Sequence, residues 1–532
     1  MKDQIYDVAV IGAGHNGLIC SAYLARAGLK VILLERRHET GGGLDTLEFS
    51  GFKFNMHATY HMMAEIMPVY KDFTLHELGV KYIYPDVQAA YITSGKKPLL
   101  FYNDPEKTVQ YIKNAFSAQA ASAYRKMYSD FKEFSEKILI PLTYVPSVPA
   151  LDMVQQLSAA KDDVGKRFNQ IADLTPLEIL DAYHLDDPIK AGVLNLFTMW
   201  GLSPFEAIGY LFPLYVYRMT NAALCAGGSH RLSSALHKRV VQAGGVISDT
   251  SEVIKVMMSG GKIEGVVLDD GTEIKAGAVV STLDPGQSFL KFFNEEEIPG
   301  HLVQSAKRWE WEKTTFYGVH LALHEAPVYK DAGSVTDANR AMITFLGITD
   351  TDQLLDHVED LEAGKLPNSP LGHTTCTSLF DPIQAFKGFH TGRWESLAPF
   401  DCDWENIKQD YADVCVNTWK AYAPNINPLF KLIYPPTYIE KKMTNMVRGS
   451  FKQGDYIPLQ MGYFRPNESC SQVFTPIDGF YVCGASAYPG GMILGAGGYI
   501  GANILADEFG VKKTWDEPDM ITSAKKIGII PD

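Results

Sequence analysis

The sequence predicts an α/β fold in which one βαβ-based domain is interrupted by a second, discontinuous α+β domain. Three observations predict it: a glycine-punctuated strand–helix–strand run at residues 7–35, a second glycine-rich run at 480–507, and a helix-plus-meander block between them.

The first run reads DVAVIGAGHNGLICSAYLARAGLKVILLE. Val8 to Ile11 is an apolar strand, Gly12, Gly14 and Gly17 follow with His15 and Asn16 among them, and a helix leads to a second apolar strand, Val31 to Leu34. Gly12 permits the tight turn, Gly14 lets the backbone approach a pyrophosphate, and Gly17 lets the helix pack closely on the strand. The helix N-terminus carries the partial positive charge that holds phosphate. Glu35 ends the second strand, where a carboxylate accepts hydrogen bonds from an adenosine ribose and repels a 2′-phosphate. The run points to a Rossmann-type unit for FAD or NAD rather than NADP.

The next segment, ERRHETGGGLDT, separates these two cofactors. A second glycine cluster, Gly41, Gly42 and Gly43, follows Arg36 and Arg37 and leads to Leu44. In two-dinucleotide-binding, GR2-like flavoproteins such a cluster extends the phosphate-binding surface, which an NAD dehydrogenase does not need. Near the other end, a strand from Phe480 to Cys483 stops at Gly484. The chain then passes Gly491 and Met492, and Gly495, Gly497 and Gly498 lead into a helix from Tyr499 to Asp507. Its positive end would face the pyrimidine edge of a flavin and stabilise the anionic reduced ring. The expected cofactor is FAD.

On these motifs the chain resembles the phytoene desaturase-type branch of the FAD-dependent amine oxidase and desaturase superfamily, which includes carotenoid isomerase-like and retinol saturase-like proteins. The likeness also rests on the block from Gly227 to Pro285, beginning GGSHRLSSALHKRVVQAGGVI, and on Gly484 to Ala502. The resemblance implies an FAD-binding domain of residues 1–75, 225–300 and 470–532, with a substrate-binding domain of 76–224 and 301–469. It implies a backbone contact to adenine at Val253, and Tyr488, Pro489, Gly490, Gly491 and Met492 along the flavin edge. It implies an FAD-dependent dehydrogenase or desaturase passing hydride from a hydrophobic terpenoid or polyene to flavin N5. Desaturation, isomerisation, and dehydrogenation with water added to an allylic cation all use the same parts.

The resemblance also brings NMHATYHMM beside the isoalloxazine ring, making His57, Tyr60 and His61 the candidate catalytic residues. A histidine there could accept a proton near neutral pH, or could simply be hydrogen-bonded beneath the flavin. Arg465, Gln460 and Asp455 either orient a polar substrate group or are ordinary solvated or ion-paired side chains. Carotenoid desaturases often place an arginine soon after the second glycine pair; Leu44, Asp45 and Thr46 stand here, which argues against a long carotenoid. Two alternatives stay open: a flavin amine oxidase with an aromatic cage, and a non-catalytic FAD-binding chaperone or assembly protein.

The 532 residues can bury a large cofactor, while a formal charge of −14 and no clustered basic stripe argue against nucleic acid. The seven cysteines form no CxxC pair, which fits reduced cytosolic thiols and excludes a disulfide reductase. Met1–Gln4 run directly into the first strand, an expectation of a cytoplasmic protein without a leader. No metal-ligand spacing is visible. Val193 to Tyr217 carries one charge, Glu206, but Gly201, Pro204, Gly209 and Pro213 interrupt it, so it is not a spanning helix. It reads as two buried helices, or as the wall of an apolar tunnel or a peripheral contact with a bilayer. With no evident NAD site, a quinone or another carrier is the expected electron acceptor; the oligomeric state is open.

Asp104 to Leu139 predicts one amphipathic helix. The proline-spaced IPLTYVPSVPA, Ile140 to Ala150, predicts a non-helical connector or lid. FYGVHLALHEAP, from Phe316, predicts sheet above the flavin.

Overall fold

The computed structural model describes residues 5–531. Met1–Gln4, with the expectation drawn from them, and Asp532 lie outside the described residues.

Two seven-stranded sheets organise the chain. In the first, Val246–Ser248, Val31–Leu34, Tyr6–Ile11 and Glu273–Ser281 run parallel in that order. The last of these strands works in two registers. Its beginning closes an antiparallel meander with Lys262–Leu268 and Val253–Ser259, and its end lies parallel between Tyr6–Ile11 and Phe480–Val482. Val31–Leu34 is buried throughout, as a parallel strand covered on both faces must be.

Helix His15–Arg26 is buried from Asn16 to Ala25, because helices His230–Gln242 and Ala496–Glu508 pack on it. Only glycine lets these layers close. A Cβ on Gly17 would stand 1.9 Å from the Gly12 carbonyl oxygen, and one on Gly498 2.2 Å from that of Asn16. The helix predicted from Tyr499 starts earlier, at Ala496, with Gly495 as its left-handed cap at φ +64°. Gly497 and Gly498 thus lie inside its first turn, where their missing side chains admit Cys483 and Asn16 backbone.

The second sheet has the order Pro428–Tyr434, Thr314–Leu323, His390–Pro399, Gly372–Thr375, Ala341–Leu346, Val87–Ile92, Leu99–Tyr102. Successive side chains of a strand alternate between faces. Tyr317, Val319, Leu321 and Trp394 enter an aromatic core with Trp404 and Trp419 of helix Trp404–Tyr422. Phe316, Gly318, His320, Arg393 and Glu395, the alternate set, face a cavity shared with the first sheet.

The expectation of one helix over Asp104–Leu139 is corrected to two, Pro105–Ala115 and Ala118–Phe134. Phe116 leaves helical geometry, and the Ser117 side chain caps the second helix by accepting from the Ala120 N–H at 2.9 Å. This helix then passes through a π turn, Ser135–Leu139, into Ile140–Thr143. The proline-rich segment is therefore helical at its start: the wider π turn precedes Pro141 where its ring and missing N–H would disrupt regular α bonding. Val193–Tyr217 divides into buried helices Asp187–Thr198 and Phe212–Met219. No described helix is long and apolar enough to cross a membrane.

Candidate functional site

A cavity partly open to solvent lies where the two sheets meet. Its lining runs from Gly12 and Glu35 of the first sheet to Phe316 and Glu395 of the second.

One end is built by the first sheet. Gly12, Gly14, His15 and Asn16 line it, with Glu35 and Arg36 beside them and Val253 beyond. Gly14 faces open space, with nothing within 4 Å of where its Cβ would stand, and it caps helix His15–Arg26 without any side-chain bond. The exposed N–H groups of that helix end therefore open into the cavity. Glu35 is fixed by the Ala13 and Arg37 N–H groups, which donate to its two oxygens at 2.8 and 2.9 Å. Gly42, Gly43 and Leu44 continue the wall, with Gly42 folded against the Gly14 Cα.

Met492 also lines the cavity, held at φ +73°, a rare backbone state for a residue with a side chain. Gly17, Gly484, Gly491, Gly497 and Gly498 are not wall residues. They sit behind the lining, where each lets two backbone segments meet: Gly484 against Thr282, for example, and Gly491 against Lys452.

Of the three candidate catalytic residues, His57 and Tyr60 reach the cavity. His61 points away and shares a 3.0 Å hydrogen bond with the Tyr82 hydroxyl. Burial drives the imidazoles of His15 and His57 down to about 4 and that of His61 to about 3, so all three are neutral near pH 7.

Arg465, Gln460 and Asp455 stand outside the cavity. Arg465 is neither solvated nor ion-paired: it is completely buried between the rings of Trp309 and Tyr456 and donates to the carbonyls of Ala485, Gln460 and Lys452. Gln460 and Asp455 bond the Glu310 backbone instead.

The far end of the cavity holds residues that carry no motif in the sequence. Phe316 and Phe451 stack at 4.8 Å with planes 13° apart, and Trp200 stands edge-on 6.1 Å from each. Beside them Arg393 donates to Glu395 and to the Thr59 hydroxyl, and reaches the carbonyls of Asn55 and His57 at 3.3 Å. His373 Nε2 lies 3.2 Å from the other Glu395 oxygen. Burial pushes the Glu395 carboxyl up, but Arg393 and His373 outweigh it and hold it below its usual range. The one signal in the RWES segment, two charges in an apolar strand, has meaning only once its partners are known.

Residues 17–317 match the family model described as flavin containing amine oxidoreductase, more than half of the chain. The chain belongs to this family. It is an FAD-dependent oxidoreductase of the amine oxidase and desaturase type. One subunit of the limonene dehydrogenase of Castellaniella defragrans is 39% identical, over 98% of this chain and 98% of that one. The neurosporene-forming phytoene desaturase of Rhodobacter capsulatus is 22% identical, with 90% of each chain covered. Cyclohexylamine oxidase from Brevibacterium oxydans shares the fold, with a TM-score of 0.60 at 14% identity over 95% of this chain and 100% of the other. The open Gly14 cradle, the uncapped helix end and the fixed Glu35 fit the flavin dinucleotide that this family carries.

Proposed function

We propose that this flavoprotein dehydrogenates a terpenoid hydrocarbon of limonene size, with the substrate held at the aromatic end of the cavity. The observation that carries the reading is the make-up of that end. Trp200, Phe316 and Phe451 form its wall, and Glu395, the carboxylate there, is already engaged by Arg393 and His373. An ammonium substrate would find no free counter-charge, whereas an apolar one finds a matching surface. The 39% identity to a limonene dehydrogenase subunit supports the same substrate class, and that relative's place as one subunit of its enzyme supports assembly with a second chain.

In this reading Gly12, Gly14, Asn16, Gly42, Gly43 and Leu44 hold the FAD pyrophosphate, and Glu35 the ribose. Val253 meets the adenine, and Met492 and the Gly495 helix end lie at the pyrimidine edge. Bound FAD supplies the hydride acceptor, N5. The protein's own part is to exclude water from the hydrocarbon, to align its allylic C–H bond, and to stabilise the cation left behind. Aromatic faces attract positive charge, so the Phe316–Phe451 pair lowers the cost of forming it. The test is an anaerobic titration of the flavin absorbance with monoterpenes and amines. Bleaching by limonene is the expected result; bleaching by amines alone would replace this reading with an amine oxidase.

A further inference from the structure

One wall of the substrate end carries more hydrogen-bonding groups than a hydrocarbon can use. His57 Nε2, His320 Nε2, Tyr60 Oη and Arg393 Nε are each sealed from solvent without a hydrogen-bond partner, and all four residues line the cavity. Buried polar atoms are normally satisfied, so these four stand out among the residues of the cavity lining. His320 is the most firmly held of them. It is 2% exposed, its ring lies 5.5 Å from both Phe54 and Tyr434, and Arg393 is its cross-strand neighbour.

We propose, resting on the hydrocarbon reading above, that His320 is the catalytic residue that takes up the proton released in the reaction, and that His57 is the next station outward. Loss of a hydride leaves a carbocation, which closes in one of two ways. A neighbouring C–H pair becomes the new double bond, or a water lone pair becomes a new C–O bond. Each closure releases one proton, and the lone pair of His320 Nε2 receives it. Two electrons have left with the hydride, so FAD is the sole oxidant required.

A carbocation is so strong an acid that a weakly basic imidazole suffices, and a neutral ring is what a cation tolerates beside it. Burial, then the Arg393 guanidinium and the neighbouring His57, hold His320 far below its ordinary value. At His57 burial again dominates, with Lys442, Arg393 and Arg37 opposing the pull of Asp45. Asp45, whose charge acts on His57, pairs with Lys442, a cavity residue that is 22% exposed.

The test uses the FAD-loaded enzyme, with limonene as the probe. His320→Ala should retain FAD and fold, and should turn over on the order of a hundredfold more slowly. Added imidazole should restore the rate in proportion to its neutral form, a rescue that a purely structural histidine would not show. A normal rate, or a slow rate without rescue, overturns the proposal. A second arm needs no substrate: nitrogen-15 spectra of labelled histidine should find Nε2 of His320 unprotonated from pH 8 to pH 5, and a proton on that atom would overturn the assignment. Failure of limonene to bleach the wild-type flavin would defeat the substrate reading, and the tautomer spectrum would still decide the role of His320.

Discussion

His320 and Arg393 face each other directly across two antiparallel strands, and Glu395 lies two residues along opposite Gly318. A Cβ on this glycine would stand 3.8 Å from Tyr434 Cβ. The result is a cavity floor with an imidazole and an ion pair on one side and aromatic rings on the other.

Arg393 should be the costliest single loss at this floor. Removing it strands Glu395 without its strongest partner and frees the Asn55–Thr59 segment. Arg393→Met should destabilise the protein by about 3–5 kcal/mol in denaturant unfolding, whereas Arg393→Met combined with Glu395→Gln should recover part of that. Equal losses in the two variants would show that the pair is not the source.

The glycines of the nucleotide turn should separate binding from folding. A Cβ at Gly14 meets nothing in the protein, so Gly14→Ala should fold normally yet lose FAD affinity at least tenfold by flavin release measurements. At Gly17 the same methyl collides with the Gly12 carbonyl, so Gly17→Ala should lower thermal stability as well.

Acid should destabilise the fold through its histidines. His15, His57 and His61 titrate at about 4, 4 and 3 when folded, against about 6.5 when unfolded. Between those values the unfolded chain binds more protons, so stability is fully present above pH 6.5 and is lost as pH falls towards 4. Each such group contributes a slope approaching about 1.4 kcal/mol per pH unit. Unfolding midpoints measured from pH 7 to pH 4 check this, and His61→Phe should flatten the slope by about 1.4 kcal/mol per pH unit.

The stacked pair should act on the chemical step. One face of Phe451 already meets the Lys452 ammonium, 5.1 Å from its centroid, so Phe316→Leu is the variant that keeps the apolar surface and removes a ring face. Anaerobic flavin reduction should slow by roughly five- to thirtyfold, the equivalent of about 1–2 kcal/mol of cation stabilisation, with FAD content unchanged. An unaltered reduction rate would remove the aromatic pair from the mechanism.

Much of this protein was legible before folding because its information is local. The turn at Gly12, the helix behind it and the acid at Glu35 depend on contacts within one βαβ unit, so spacing alone declares them. His57 and Tyr60 were reachable only through the resemblance to the family. The helix boundary at Ser117, the π turn before Pro141 and the true start, at Ala496, of the helix predicted from Tyr499 were not legible, because capping and close approach override propensity there.

The substrate end was decided by tertiary structure alone. Trp200, Phe316, His320, Arg393 and Phe451 come from segments more than 250 residues apart at the extremes, and each is ordinary in its own segment. Strand register pairs His320 with Arg393, and alternation sends Phe316, Gly318 and His320 to the cavity while Tyr317, Val319 and Leu321 go to the core. A shift of one residue would exchange those two sets, so the character of the site rests on a pairing that no single stretch of sequence contains.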